Sequence, residues 1–229
     1  MTGDAHSQPF VVRPMTPAEV ADVARLHREG IDSGFLSSLG VEFLKQLYAG
    51  IAATGSGFVF VAEASGGRDV GGGGRVVGFV AGAEHVGRLY RGVLMRRGVM
   101  MLAPLARRLL RPATLRRIAG SVFYPSRSRH AAVGVPDAEL LSIAVAPEAR
   151  GSGVAGVLVD ALVAEFQRRG VRAFKLVVGS RLERARRFYQ KYGFRPAGTI
   201  ESHGDPSEVY VLDVPDAARL PDRADRGAD

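Results

Sequence analysis

The chain has 229 residues, of which 46% are hydrophobic and 24% are charged; this length and balance are typical of one globular domain and exclude global disorder. It contains no cysteine, which excludes disulfides, thiolate metal sites and a cysteine nucleophile, and its five histidines are not spaced as metal ligands. The formal net charge is +8, and that charge is unevenly distributed along the chain.

The N-terminal half is predicted to contain helices and strands without any membrane-spanning segment. The opening residues, MTGDAHSQPF, lack the basic segment and apolar run of a secretion signal, so we expect a cytoplasmic protein. The longest uncharged stretch, Gln46 to Ala62, contains three glycines and is too short to cross a bilayer. The predicted elements are a strand at Phe10–Arg13, helices at Ala18–Arg28 and Val41–Ala53, and strands at Gly57–Glu63 and Arg75–Gly82.

A basic insertion, residues 86–136, follows the last of these strands. Between Glu84 and Asp137 there are eleven arginines and no acidic residue, so the remainder of the chain is net acidic. Three prolines divide the insertion into short helix candidates. Such a segment suits a lid over an anionic acceptor or a patch that contacts an acidic membrane or carrier surface; the simplest alternative is a solvated excursion. Its aromatic residues are too few for a nucleic-acid stacking platform, so nucleic acid is not an expected partner.

The C-terminal half has a clear alternation of predicted strands and helices. The strands are Glu139–Ala146, Val171–Val178, Phe194–Ile200 and Glu208–Val214, and the helices are Gly151–Arg169 and Leu182–Tyr192. We therefore expect one domain over residues 9–214 that includes the insertion. The polar tails, residues 1–8 and 215–229, are predicted to be disordered.

The turn between the first strand and the first helix of this half is the most informative motif. The sequence ELLSIAVAPEARGSGVAGVLVDAL runs from the strand through Arg150, Gly151, Ser152 and Gly153 directly into the helix. Free N–H groups at a helix start, close approach at glycines and the helix dipole together favour a bound anion such as pyrophosphate. The turn matches neither the P-loop nor the dinucleotide fingerprint, which indicates a nucleotide-bearing cofactor of another kind.

Two motifs in this half resemble those of the GCN5-related N-acetyltransferase (GNAT) superfamily. Arg150, Gly153 and Ala155 fill the pattern Gln/Arg-x-x-Gly-x-Gly/Ala, and the later segment Ala185-Arg-Arg-Phe-Tyr189-Gln-Lys-Tyr-Gly193-Phe194 matches Ala-x-x-x-Tyr-x-x-x-Gly-Phe. The resemblance covers residues 137–214 closely and 10–85 loosely. It implies a single α/β domain with a mixed sheet of about six or seven strands, splayed at its centre, and helices on both faces.

The resemblance also implies acetyl-CoA as co-substrate, bound in a cleft between strands 139–146 and 171–178. The pantetheine arm would pair with the backbone of Ile143, Ala144 and Val145 like an added strand. The family often has Asn three residues before the helix alanine, where this chain has Leu182, so Ser180 is the candidate for that hydrogen bond. The residues expected at the pyrophosphate are Arg150, Gly151, Ser152, Gly153, Val154 and Ala155.

The resemblance places Tyr189 near the cofactor sulfur as the general acid, and the alternative interpretation is a tyrosine that packs in the core. Because the amine attacks the thioester directly, a base must take up its proton. Glu139 is the candidate base, and a solvated strand end explains it nearly as well. Glu84, His85 and His203 are further candidates for the base.

These observations predict an acetyl-CoA-dependent N-acetyltransferase that moves an acetyl group to the amine of a small molecule, without a metal. An anionic acceptor would suit the basic insertion. The alternative function is a non-catalytic acyl-CoA-binding module that docks a partner or an anionic membrane through the same insertion.

Overall fold

The computed structural model describes residues 10–31, 35–68, 74–102, 135–202 and 205–215. Each strand and helix predicted within these residues is present, and a short helix, α2, occupies a stretch predicted as a loop. Two 3-10 turns precede α1 and α5. The elements are β1 (Phe10–Pro14), α1 (Val20–Gly30), α2 (Phe35–Ser38), α3 (Val41–Ala53), β2 (Gly57–Arg68), β3 (Gly74–Ala83), α4 (Val86–Leu102), β4 (Glu139–Val145), α5 (Val154–Arg168), β5 (Ala173–Gly179), α6 (Glu183–Tyr192), β6 (Arg195–Ser202) and β7 (Asp205–Asp213).

The seven strands form one open mixed sheet, which confirms the predicted fold class. Their order is β1-β2-β3-β4-β5-β7-β6. Neighbouring strands are antiparallel except β4 and β5, which run parallel at the centre of the sheet and are connected through α5. A parallel pair at this position brings the ends of β4 and β5 to the same edge of the sheet.

Helices cover both faces of the sheet, as the alternation of side chains along β3 shows. Phe79 contacts His27 of α1 and Tyr48 of α3, with ring centroids 6.4 and 5.1 Å away. Gly82 lies three positions further along the strand and faces α5, where an added Cβ would be 2.9 Å from Leu162. The helices α1 and α3 therefore lie on one face and α5 on the other.

The first part of the basic insertion is the helix α4, which packs antiparallel along α3. Val93 lies against Gly50, where an added Cβ would be 2.8 Å from the valine, and Arg97 donates a hydrogen bond to Gln46 at 3.0 Å. Leu89 is fully buried and joins the hydrophobic core. This part of the insertion belongs to the folded domain, and residues 103–134 lie outside the described residues.

The outer surface of α4 combines apolar and basic side chains. Met95 and Val99 are 83% and 84% exposed. A helix that only packs on a domain would instead have polar side chains on its outer face. Exposed arginines accompany Met95 and Val99: Arg88, Arg91 and Arg96. Among the helices that the structure describes, none has the length and hydropathy needed to cross a membrane.

The junction between α6 and β6 fixes the position of an aromatic cluster. Gly193 ends α6 with φ 108°, a left-handed conformation that favours glycine. The next residue, Phe194, packs with its ring centroid 5.4 Å from both Phe174 and Tyr189. The turn therefore holds Tyr189 against the core at the edge of the β4–β5 pair.

Candidate active site

The central strands β4 and β5 pair at one end and diverge at the other. Their registered pairs are Glu139 with Lys175 and Leu140 with Leu176, and no further pair follows along these two fully described strands. A bulge at Leu141 on the β3 side shifts the register at the point where the strands separate. The gap between them opens into a cavity of about 870 Å³, as expected for a sheet splayed at its centre.

The edge of β4 that faces the cavity presents backbone hydrogen-bonding groups. The Ala146 N–H donates to the Val77 carbonyl of β3 at 2.8 Å. Because successive residues of a strand direct their N–H and C=O groups to opposite sides, Ile143 and Val145 direct theirs toward the cavity. The Arg150 guanidinium donates to the Val145 carbonyl at 3.3 Å, which agrees with that orientation.

The turn between β4 and α5 places a helix N-terminus at the wide end of the cavity. Gly151 and Gly153 have φ values of 82° and 87°, a conformation that glycine adopts without strain. An added Cβ at either position would have no neighbour within 4 Å, so the backbone conformation, and not lack of space, favours glycine there. The first N–H groups of α5 have no acceptor within the helix, and no side chain caps them. Such N–H groups at a helix N-terminus favour an anion.

Three arginines line the cavity: Arg150, Arg181 and Arg184. None of the described residues that line it is acidic, so the cavity has a positive potential. The sequence motifs did not identify Arg181 and Arg184. Arg181 lies in the β5–α6 connection and Arg184 in the first turn of α6, and the approach of both to the β4–α5 turn depends on the three-dimensional fold.

Most predicted cofactor residues line this cavity, and Ser152 does not. Its hydroxyl donates to the Ala149 carbonyl at 2.6 Å and closes the turn. Leu182, at the position where the resemblance expects Asn, is half-exposed at the cavity wall. The predicted residues that line the cavity are Ile143, Ala144, Val145, Arg150, Gly151, Gly153, Val154, Ala155 and Ser180.

Tyr189 combines the two interpretations that the sequence allowed. Its ring packs against Phe188 and Phe194, and only 7% of the residue is exposed. It also lines the cavity. Burial raises the pKa of the Tyr189 hydroxyl well above its usual value, so the hydroxyl keeps its proton at neutral pH.

Glu139 lies at the closed end of the β4–β5 pair and does not line the cavity. Its carboxylate is 3.6 Å from the Lys175 ammonium, which also donates to the Pro136 carbonyl at 2.5 Å. Burial raises the pKa of Glu139, and the nearby ammonium opposes that effect. A buried carboxyl with a raised pKa is a stronger base than a solvated one once it is ionised.

Comparison with known proteins identifies the family. The sequence profile of the acetyltransferase (GNAT) family matches residues 44–194. The chain belongs to this family. Proteins of the GNAT family are acetyltransferases and use acetyl-CoA as co-substrate, so the chain is an acetyltransferase. No curated protein matches the chain significantly.

Solved structures of GNAT acetyltransferases share the fold at low sequence identity. The ribosomal-protein-S18-alanine N-acetyltransferase from Escherichia coli has a TM-score of 0.53 and 12% identity, covering 90% of this chain and 94% of its own. A spermidine N-acetyltransferase SpeG chimera from Vibrio cholerae and hSSAT has a TM-score of 0.54 and 14% identity, covering 90% of this chain and 95% of its own. The structure of histone acetyltransferase HPA2 and related acetyltransferase from Corynebacterium glutamicum has a TM-score of 0.52 and 23% identity, covering 93% of this chain and 98% of its own. These relatives include acetyltransferases of proteins and of small molecules.

Two of the other candidate bases, Glu84 and His85, do not line the cavity of this GNAT fold. Glu84 forms an ion pair with Arg169, and His85 Nδ1 is 2.9 Å from the Asp137 carboxylate at an exposed position. His203 lies outside the described residues. Within the described part of the chain, no three His, Asp or Glu side chains form a cluster that could hold a metal ion.

Proposed function

We propose that the chain transfers an acetyl group from acetyl-CoA to the amine of a small molecule, by direct attack of that amine on the thioester. The observation that carries the proposal is the cleft itself. It joins a free strand edge on β4, a helix N-terminus at α5 and three arginines in a single cavity. An extended, amide-containing arm and a polyanionic end would find complementary groups in that order.

Acetyl-CoA fits the groups that the cleft presents. Ile143 and Val145 would pair with the pantetheine arm, and the N–H groups from Gly151 to Ala155 would hold the pyrophosphate. Arg181 and Arg184 would add charge-assisted hydrogen bonds to phosphate oxygens. The Ser152 hydroxyl is committed to the turn, so Ser152 would contribute its backbone N–H and not its side chain. Bound acetyl-CoA supplies an electrophilic thioester carbon.

Two side chains handle the protons in the proposed mechanism. Glu139 does not line the cavity, so it would take the proton that the amine loses through a bridging water molecule, and its raised pKa suits it to that task. Tyr189 keeps its proton and donates a hydrogen bond to the departing thiolate, whose ordinary pKa of about 8.5 means that modest help is sufficient. The new C–N bond forms as the C–S bond breaks.

The wall formed by α1 supports a small acceptor. Gly30 and Ile31 line the cavity, and an added Cβ at Gly30 would be 2.9 Å from Ala144. The end of α1 therefore packs directly on β4 and forms one wall of the cavity. We infer that the acceptor amine reaches the thioester beside this wall.

A thiol-release assay with two panels of acceptors tests this proposal. One panel contains polyamines, amino sugars and amino acids, and the other contains peptides with free N-terminal or lysine amines. We expect release of CoA with small amines only. Release with peptides only, or absence of release with both panels, would contradict transfer to a small-molecule amine.

The exposed face of α4 favours a second role, contact with an anionic surface. Arg88 and Arg91 precede the exposed Met95 and Val99 along one face of α4, a combination that suits an anionic bilayer. Each arginine near such a surface contributes about 1 kcal/mol. The double variant Arg88→Gln/Arg91→Gln should therefore bind phosphatidylserine vesicles about 30-fold more weakly at low salt, with acetyl-CoA affinity unchanged. Equal sedimentation of variant and wild type would remove this role from α4.

A further inference from the structure

A buried chain of hydrogen bonds leads from the core to the wall of the cleft. His27 Nδ1 of α1 is 2.5 Å from the Tyr48 hydroxyl of α3, and that hydroxyl is 2.8 Å from the Ser142 hydroxyl of β4. His27 and Tyr48 are 2% and 1% exposed, whereas Ser142 lines the cavity. We call these three residues the polar chain. A polar chain in a hydrophobic core is costly unless it is satisfied, so its connection to the cleft requires an explanation.

The direction of these hydrogen bonds follows from His27. Burial lowers the pKa of His27 to about 4, so the ring is neutral and carries one proton. Its Nε2 is buried without a partner among the described residues. A proton on Nε2 would bury an unsatisfied N–H donor, which is rarer in proteins than an unsatisfied acceptor. The proton therefore belongs on Nδ1, and Nδ1–H donates to the Tyr48 oxygen.

The direction at His27 determines the direction at the other two residues. Burial raises the pKa of Tyr48, so its hydroxyl stays protonated and donates to Ser142. A serine hydroxyl has one proton of its own. Within the described residues, Ser142 makes its one side-chain hydrogen bond to Tyr48, so the Ser142 proton remains available for a group in the cleft.

The position of Ser142 in the cleft identifies that group. Ser142 follows the bulge where β4 and β5 separate, between Glu139 at the closed end and Ile143 and Val145 along the open edge. With the pyrophosphate at the β4–α5 turn, the acyl end of the cofactor points toward this part of β4. During attack by the amine, the thioester carbonyl oxygen gains negative charge there and can accept a hydrogen bond.

We propose that Ser142 donates a hydrogen bond to the thioester carbonyl oxygen, and that Tyr48 and His27 are positioning residues that aim its proton. This inference rests on the proposed function. Ser142 keeps its proton throughout: the amine nitrogen bonds to the carbonyl carbon, the C–S pair leaves with sulfur, and the amine proton goes to Glu139. A donor fixed in advance stabilises the oxyanion without reorganisation during the reaction.

The burial of His27 and its lowered pKa argue against His27 as the base. A ring whose pKa is lowered to about 4 holds no additional proton at neutral pH. The polar chain therefore orients the serine and does not carry protons away from the amine.

Infrared spectroscopy of bound acetyl-CoA labelled with ¹³C at its carbonyl tests the contact without turnover. In wild type the carbonyl band should lie below that of free acetyl-CoA, because a hydrogen bond weakens the C=O bond. In Ser142→Ala the band should return toward the free value, and in Tyr48→Phe it should broaden as the serine loses its fixed orientation. An unchanged band in Ser142→Ala would overturn the proposal.

Kinetics then separate a positioning role from a structural one. We expect Ser142→Ala to lower kcat about 100- to 1,000-fold and Tyr48→Phe to lower it by a smaller factor, with the double variant equal to Ser142→Ala alone. Multiplicative losses would overturn the coupling. Thr54→Val is the matched control, because it removes a buried hydroxyl that donates to the Ile51 carbonyl and does not belong to the polar chain, and its kcat should match that of wild type.

The histidine proton provides a readout that does not depend on any variant folding. The ¹⁵N chemical shifts of His27 in the wild-type protein report which ring nitrogen is protonated, and we expect Nδ1. A proton on Nε2 would reverse the chain and contradict the assignment of Ser142 as a donor. Failure of wild type to bind acetyl-CoA would instead contradict the proposed function, so the two failures are distinguishable.

Discussion

The two ends of the β4–β5 pair differ in how they obtain their functional groups. At the open end, local backbone geometry supplies them: the Gly151 and Gly153 conformations and the first N–H groups of α5. At the closed end, two side chains from strands adjacent only in the fold, Glu139 and Lys175, form a buried pair. In the proposed mechanism the open end binds the cofactor and the closed end accepts the amine proton, and each can therefore be disrupted separately.

The largest expected effect is on stability and concerns His27, which is buried and is connected to β4 through Tyr48 and Ser142. Its pKa is lowered to about 4, so the folded protein keeps the ring neutral while the unfolded chain gains a proton below its ordinary value of about 6.5. The free energy of unfolding therefore keeps its full value above a pH of about 6.5, and it decreases by about 3 kcal/mol as the pH falls toward 4.

Urea denaturation at pH 7 and at pH 4 measures this loss. The His27→Gln variant should lack this component and show a smaller decrease in the free energy of unfolding than wild type. Equal decreases in the free energy of unfolding of both proteins would mean that His27 is solvated and that the polar chain does not stabilise β4.

At the closed end, Glu139→Gln should lower kcat about 100-fold at neutral pH for a lysine-like amine. Only about 0.1% of such an amine is neutral at pH 7.5, so the reaction depends on a base. In wild type the rate should rise with pH through the raised pKa of Glu139, and in the variant it should follow the pKa of the free amine. Glu84→Gln is the matched control; if it alone moves the profile, Glu84 is the base.

Tyr189 lies between the two ends, and Tyr189→Phe should lower kcat about 10- to 100-fold. The ring and its contacts with Phe188 and Phe194 are retained, so acetyl-CoA affinity should stay within about threefold. Tyr192→Phe on the same helix is the control, because its hydroxyl bonds to Asp160. Equal rates for Tyr189→Phe and wild type would leave Tyr189 as a core residue only.

At the open end, Gly153→Asp should weaken acetyl-CoA binding at least about tenfold, which corresponds to about 1.4 kcal/mol. The new carboxylate would repel the pyrophosphate at the start of α5. Gly153→Asn has nearly the same shape and the same tolerance of positive φ, without the charge. Calorimetry should therefore find a much smaller loss for Asn, and equal losses would mean that backbone strain rather than charge is responsible.

The sequence was a good guide to features that depend on nearby residues. The order of strands and helices, the β4–α5 turn and the end of α6 at Gly193 all follow from local patterns, and the structure contains them. At Ser152 the local pattern did not show that the short side chain bonds back to the Ala149 carbonyl; the role of its backbone at the cofactor stays a prediction.

Features that depend on distant residues were not predictable in the same way. Ser142 and Tyr48 are 94 positions apart, and Glu139 meets Lys175 only because β4 and β5 run parallel. Arg181 and Arg184 reach the cleft through the packing of α6. Neither hydrophobic period nor motif spacing contains that information, since each depends on which strands are neighbours in the sheet.

The central claim is that the cofactor binds along β4 and at the start of α5, and a titration of the protein with CoA followed by amide NMR tests it most directly. We predict that the largest chemical-shift changes occur at the amides of Ile143, Val145, Gly151, Gly153 and Ala155, and that they saturate together. Glycine amides outside the cleft, such as Gly170 and Gly198, should not move. Saturable binding that leaves the Gly151 and Gly153 amides unchanged would contradict the account.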